Sequence, residues 1–365
     1  MSIRLFVPGR IEIVGKHTDY AGGRSLVAAV PRGFTFSASP SADGRVEVTD
    51  LGTNQHAQFA ADGSGPGADG WQRYPQAVIS RLAANFPGAA LSARIEFSSD
   101  LPPAAGLSSS SALVIGMAEA LIACARIEDT QTWQREIRTL EDRASYFGCI
   151  ENGSRFGALL GSDGVGTHGG SEDHAAIVMS VAGHMRRCAF APLRSEGLVA
   201  MPAGWTFVVA ASGVEAHKTG AARGAFNRLA DPAAMAGGRL RQFEAENARV
   251  DEAAGAFARG DVARVGELAA ASQRDADALL GNQVPETRAL VALALAEGAS
   301  AASAFGAGWG GSVWALVETA AGPAFLERWL GGYRLRYPQR RSIGFVSPPC
   351  DGMHKVNPSP YNLSR

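Results

Sequence analysis

The stretch LPPAAGLSSSSALVIGMAEAL, residues 101–121, decides how the chain is read. Four consecutive serines, Ser108 to Ser111, stand at the head of an apolar run that predicts a long buried helix over about 111–126. The first turn of such a helix offers unpaired N–H groups and the positive end of the dipole, both of which favour an anion. Gly106, just ahead, lets the backbone come close to a phosphate. A serine N-cap on a buried helix is the plain alternative, and the glycine-bearing loop tips the reading toward phosphate. The stretch is not a Walker loop. The nearest approach to one, GRIEIVGKH at 9–17, has one residue too many before its Gly-Lys and ends in histidine.

Working outward, the first third of the chain reads as short strands. RLFV, IEIV, SLVAAV, TFSAS and RVEVTD are separated by glycine, proline and aspartate. Residues 71–86 have helical spacing, and SARIEFSSD (92–100) returns to a strand. Six glycines between Gly157 and Gly170 predict a loop, after which AAIVMSV reads as a strand. WTFVVAAS (205–212) opens a second half, and residues 218–297 are rich in Ala, Arg and Glu at helical spacing. A second glycine cluster, FGAGWGGS (305–312), leads into a strand, VWALVE. The expected class is α+β with two domains, 1–200 and 201–350, and a tail at 351–365.

The chain has 365 residues, 46% of them hydrophobic, enough for two ordinary cores. With 34 basic and 35 acidic side chains the net charge is −1, which gives no electrostatic argument for nucleic acid. Cys124, Cys149, Cys188 and Cys350 are far apart and form no CxxC pair, so they read as reduced structural thiols. The richest apolar stretch is broken by Glu119, and the N-terminus is too short in apolar residues for a signal peptide. No membrane contact is expected, and the reading is cytoplasmic, as a monomer or weak homodimer.

Three further segments carry chemistry. PGRIEIVGKHTDYAGG (8–23) brings Arg10, Lys16, His17 and Asp19 into ten residues. That is either a surface salt-bridge cluster or a hydrogen-bonding array for sugar hydroxyls. GGSEDHAAIV (169–178) sets Glu172, Asp173 and His174 after the loop, as a solvated acidic turn or as an aspartate placed to accept a proton from an attacking hydroxyl. The four glycines from Gly306 to Gly311 suggest backbone packed against a ligand or another loop.

Taken in order and spacing, PGRIEIVGKHTDYAGG, PPAAGLSSSSAL and GAGWGGS resemble the three motifs of the GHMP kinases, and the first looks like the galactokinase signature. WQRYPQAV at 71, GDVARVGELAAASQ and VPETRALVALALAEGASAAS add to the resemblance, which spans residues 3–350. It implies the two-domain GHMP fold with the active site in the cleft between domains, and an ATP-dependent sugar-1-kinase acting on a monosaccharide, galactose by family prior. It implies ATP phosphates over Gly106, Leu107, Ser108, Ser109, Ser110 and Ser111, and Mg2+ held by Ser110 and Glu151. Asp173 resembles the catalytic aspartate and Arg10 its partner near the anomeric oxygen, while Lys16, His17 and Asp19 fall on sugar-binding positions. Two departures bear on the substrate. Galactokinases usually carry glutamate where this chain has Lys16, serving the C6 hydroxyl, and asparagine where it has Glu12. An ammonium there would suit a C6 carboxylate, as in galacturonate, unless Lys16 pairs with Glu12 or another carboxylate. The tyrosine-bearing sugar segment is replaced by residues 215–230, where Phe226 has no hydroxyl. The alternatives are a kinase for a uronic acid, an arabinose or a heptose, and a silent relative that senses sugar and ATP.

Overall fold

A computed structural model describes residues 2–214, 220–231 and 235–356. The first part runs β1 (Ile3–Val14), β2 (Arg24–Pro40), β3 (Arg45–Asp50), β4 (Gln55–Ala60), α1 (Arg73–Asn85), β5 (Ala93–Ser99), α2 (Ser109–Ala125), α3 (Gln131–Glu136), α4 (Leu140–Asn152), α5 (Glu172–Met179), β6 (His184–Ala189) and β7 (Arg194–Ala200). The second runs β8 (Trp205–Ala211), α6 (Gly220–Ala230), α7 (Gly237–Ala258), α8 (Val262–Asp275), α9 (Pro285–Ala296), β9 (Ala301–Phe305), β10 (Ser312–Glu318), α10 (Gly322–Arg336), β11 (Ile343–Ser347) and β12 (His354–Lys355). The mixed α+β class is as the sequence indicates.

One sheet has the order β12-β1-β2-β5-β3-β4, with β6 on the other half of β2 and β7 beyond it. The long β2 makes this possible, since Arg24–Val27 pair with β6 while Phe34–Pro40 pair with β5. The runs read as separate strands are therefore fused: RLFV and IEIV form β1, and SLVAAV and TFSAS form β2. Pro8 and Gly9 do not end β1, because a register shift between Pro8 and Arg10 absorbs them as a bulge. The second sheet has the order β11-β8-β10-β9. In β8, Val208 and Ala210 pack under α9 and α10, whereas Phe207 and Val209 join the larger core with Phe257 and Leu268. That is the two-residue alternation of a strand buried on both faces.

The helix at the serine run lies directly on the first sheet. A Cβ at Gly116 would fall 2.0 Å from the Phe36 ring, so the glycine sets how closely α2 approaches β2. Glu119, which interrupts the apolar run, pairs with Arg143 of α4.

Two expectations change, and one unassigned stretch gains a strand. AAIVMSV belongs to α5, a helix, and its last two residues lie beyond it. Residues His174 to Met179 are all buried, so the apolar run shows no period that could tell helix from strand. Glu172 and Asp173, acidic in the first turn, favour the helix. AASAF at 301–305, between the helical stretch that ends at 297 and the second glycine cluster, forms strand β9. In the expected tail, His354 and Lys355 pair with Phe6 and Leu5, and 357–365 lie outside the described residues, as do 215–219 of the sugar segment.

Candidate active site

The three motifs meet backbone to backbone. Arg10 N–H donates to Leu107 O at 3.2 Å, and the Arg10 guanidinium donates to Gly106 O at 2.6 Å. A Cβ at Gly9 would fall 2.8 Å from Leu107 O, one at Gly306 3.0 Å from Gly106 O, and one at Gly311 3.2 Å from Ala105 O. The Ser312 hydroxyl donates to Ala105 O at 2.7 Å. The glycine cluster at 306–311 is thus packed on the serine loop, and both Gly106 (φ 73°) and Gly306 (φ 76°) take the left-handed conformation that glycine adopts freely.

Helix α2 starts without a side-chain cap: Ser108 sits at φ 62° and makes no capping bond, leaving the first-turn N–H groups of Ser109 to Ser111 at the mouth of the loop. Ser109 and Ser110 are partly exposed, while Ser111 is buried. The hydroxyl that meets Glu151 is that of Ser111, at 2.7 Å from Oε2, and it lies 3.3 Å from Asp173 Oδ2. This is one residue beyond Ser110, about 100° further round the helix. Glu151 is held in place at the end of α4, where Thr139 and Asp142 form a capping box at the start and Gly153 (φ 85°) closes the helix. Helices α2 and α4 are cross-tied twice, Ser111 to Glu151 and Glu119 to Arg143. The ties are eight residues apart on each helix, so they fix an antiparallel register over about 12 Å. The loop from 153 to 170 then closes back, with Val165 N–H on Glu151 O.

Asp173 stands in the first turn of α5 and is gripped by Arg10, whose Nε lies 2.7 Å and terminal nitrogen 2.6 Å from Oδ1. Asp19 accepts the Glu172 N–H at 3.4 Å, so the first motif also caps α5. Gly170 is required at that contact, since a Cβ would fall 2.4 Å from Asp19 Oδ2. His17 Nδ1 is 2.8 Å from the Tyr20 hydroxyl and Nε2 3.2 Å from Ala307 O. The rings of His17, Tyr20 and Phe226 pack together. Arg10, Glu12, His17, Asp19, Ser111, Glu151, Glu172, Asp173 and Phe226 all line one cleft.

Lys16, expected at the sugar site from the resemblance, is outside that set. It is 1% exposed, and its ammonium donates to Ser272 Oγ at 2.9 Å and Ser303 Oγ at 2.6 Å, on α8 and β9. The reason is local. Gly15 (φ 107°) turns the chain, Glu246 of α7 accepts both the Gly15 and Lys16 N–H groups, and Gln242 donates to Lys16 O at 2.7 Å. His17 (φ 59°) then swings back to the cleft. Phe226 lies beside His17, ring to ring.

Electrostatics follow burial. Desolvation works against the Arg10 charge, but Asp173, Glu172 and Glu12 outweigh it and hold its pKa above the ordinary value. Burial pushes Glu12 up to about 7 against the pull of Arg10 and Lys16. Burial, then the charges of Glu12 and Asp19, raises Glu172 well above the usual carboxylate range. Burial lowers the Lys16 ammonium, with Glu246 and Glu12 opposing. Glu12 and Glu172 are the site residues that motif reading did not assign. The signal for Glu12 was its place two residues after Arg10, on the same strand face.

The N-terminal domain model of the GHMP kinases matches residues 73–148 and the C-terminal model residues 253–333. The chain belongs to the GHMP kinase superfamily. The galactokinase galactose-binding signature matches residues 3–40 of this GHMP kinase. Its curated relatives include the galactokinase of Glaesserella parasuis serovar 5, 32% identical over 114 residues, 31% of this chain and 30% of that protein. Another is the galactokinase of Halalkalibacterium halodurans, 32% identical over 127 residues, 34% of this chain and 31% of that protein. The matched part thus spans under a third of either relative's length. Among solved structures, Lactococcus lactis galactokinase complexed with galactose superposes with a TM-score of 0.83 at 20% identity, covering 97% of this chain and 95% of that one. The shared property there is the fold. Among the described residues no helix is long and apolar enough to cross a membrane.

Proposed function

We propose that this GHMP kinase is an ATP-dependent sugar-1-kinase of galactokinase type, converting ATP and galactose to ADP and galactose 1-phosphate. The observation that carries the reading is the contact of Arg10 with Asp173 beside the Ser111–Glu151 pair, at the uncapped start of α2. Triphosphate oxygens meet the Gly106–Ser111 loop, whose backbone donors suit an anion. Asp173 accepts a hydrogen bond from the C1 hydroxyl and so aims its oxygen at the γ-phosphorus. The O1–P bond forms as the bond to ADP breaks, and the hydroxyl proton passes to Asp173. Arg10 neutralises charge developing on the transferred group, and positioning with neutralisation is most of what phosphoryl transfer needs. His17 and Asp19 hold sugar hydroxyls. The domain division at about residue 200 belongs to the same reading, with the cleft between the two halves.

Glu151 and the serine hydroxyls fit Mg2+, a hard ion that uses one or two protein oxygens and completes its shell with phosphate and water. The 2.7 Å contact of Ser111 with Glu151 favours Ser111 over Ser110 as the hydroxyl partner. When bound, the ion offsets negative charge on the phosphates.

The test is ADP release from purified protein with ATP, Mg2+ and a panel of hexoses, pentoses and uronic acids. Galactose-dependent release with galactose 1-phosphate as product is expected. No turnover with any sugar in the panel removes the kinase reading in favour of a sugar- and ATP-binding sensor.

A further inference from the structure

Glu12 has no role in the reaction as drawn, yet it lines the cleft and is 2% exposed. Its Oε2 accepts Gly306 N–H at 3.0 Å, and its Oε1 is buried with no hydrogen-bond partner among the described residues. A buried oxygen left in that state is costly, more so for a charged group, and a donor that reaches it recovers the loss. The charge on the rest of the wall is mostly acidic. Asp19, Glu151, Glu172 and Asp173 share the cleft, and among the Arg and Lys side chains of the described residues only Arg10 lines it. Lys16, whose ammonium would suit a C6 carboxylate, spends it on Ser272 and Ser303 behind the cleft.

We propose that Glu12 is a specificity-determining residue of the sugar site: its inner oxygen takes a hydrogen bond from a hydroxyl or ammonium donor of the sugar, and the carboxylate-lined wall rejects uronic acids. The inference rests on the sugar-kinase reading and reverses what the Lys16 position implies from sequence. A site built to meet a donor discriminates strongly against an analogue that brings an acceptor or a like charge, because the buried partner is then left unpaired.

The test compares the wild type with Glu12→Gln, in which an amide N–H group can replace the inner oxygen while the other end still accepts from Gly306. Binding of galactose, galactosamine and galacturonate is measured by calorimetry with Mg2+ and a non-hydrolysable ATP analogue, and turnover by ADP release. The wild type is expected to favour galactose over galacturonate by about a hundredfold, and Glu12→Gln to narrow that gap by about tenfold with KM for ATP unchanged. Galactosamine bound at least as tightly as galactose identifies the donor as an ammonium; weaker binding identifies a hydroxyl. Equal use of galacturonate by the wild type, or an unchanged gap in the variant, overturns the proposal. If Glu12→Gln fails to fold, Glu12→Asp keeps the charge but retracts it. That variant is expected to weaken galactose while still rejecting galacturonate, and unweakened galactose binding counts against Glu12. A wild type that binds sugars in this order without turnover defeats the kinase reading and leaves Glu12 in place. Turnover with a gap indifferent to Glu12 does the reverse.

Discussion

Arg10 and Lys16 are two buried cations in one motif, six residues apart, and they end on opposite sides of it. Arg10 leaves β1 on the cleft face and meets Asp173; Lys16 follows the Gly15 turn to the far side and meets two serine hydroxyls. Charge alone did not separate them. What did was backbone geometry: strand alternation carries Arg10 and Glu12 to one face, and the positive φ of Gly15 and His17 breaks that alternation around Lys16. The partners differ in kind as well. Arginine keeps its charge and takes carboxylates through a fixed fork, whereas a buried lysine gives up basicity and is content with neutral acceptors.

The strongest way to break this contrast is at the Arg10 end. Asp173→Asn keeps the shape but removes the charge that Arg10 grips and the basicity offered to the C1 hydroxyl. Turnover is expected to fall by about a thousandfold, in the range of a lost acid-base group, with ATP affinity by calorimetry nearly intact. Substantial residual activity would take Asp173 out of the reaction and reduce the Arg10 contact to a structural ion pair.

At the Lys16 end the expected effect is on folding. Lys16→Glu places a carboxylate where Glu246 and Glu12 already act on the ammonium, and leaves Ser272 and Ser303 without their donor. An uncompensated buried charge costs about 3–5 kcal/mol, which urea unfolding should register. The ratio of galactose to galacturonate turnover in the folded fraction should not move. A raised ratio with stability preserved would return Lys16 to the sugar site.

These two ends also mark what the sequence could and could not disclose. The serine run, the glycine clusters and the order of motifs announced the class and superfamily, because helix starts and close backbone contacts demand particular residues. Strand boundaries at Pro8 and Gly33 were missed because a bulge and a neighbouring strand absorb the turn signal. Helix α5 was misread because a run buried on every side shows no period. The direction of Lys16 needed the long-range partners Gln242, Glu246, Ser272 and Ser303, 226 or more residues away.

Glu12 tests whether the cleft face is as anionic as its lining indicates. Its carboxyl is raised by burial from an ordinary 4.5 to about 7, so between those pH values the folded protein holds a proton there that the unfolded chain has released. The corresponding stability is fully present below about 4.5 and is lost as the pH rises through about 7, a loss on the order of 3 kcal/mol. Glu12→Gln cannot titrate. Its stability relative to the wild type, from urea unfolding at pH 5 and pH 8, should therefore improve with pH by up to that amount. A difference that stays flat across the two pH values would mean that the Glu12 charge is already compensated. The wall would then lack the carboxylate excess that sets the cleft apart from the hydroxyl-lined niche of Lys16.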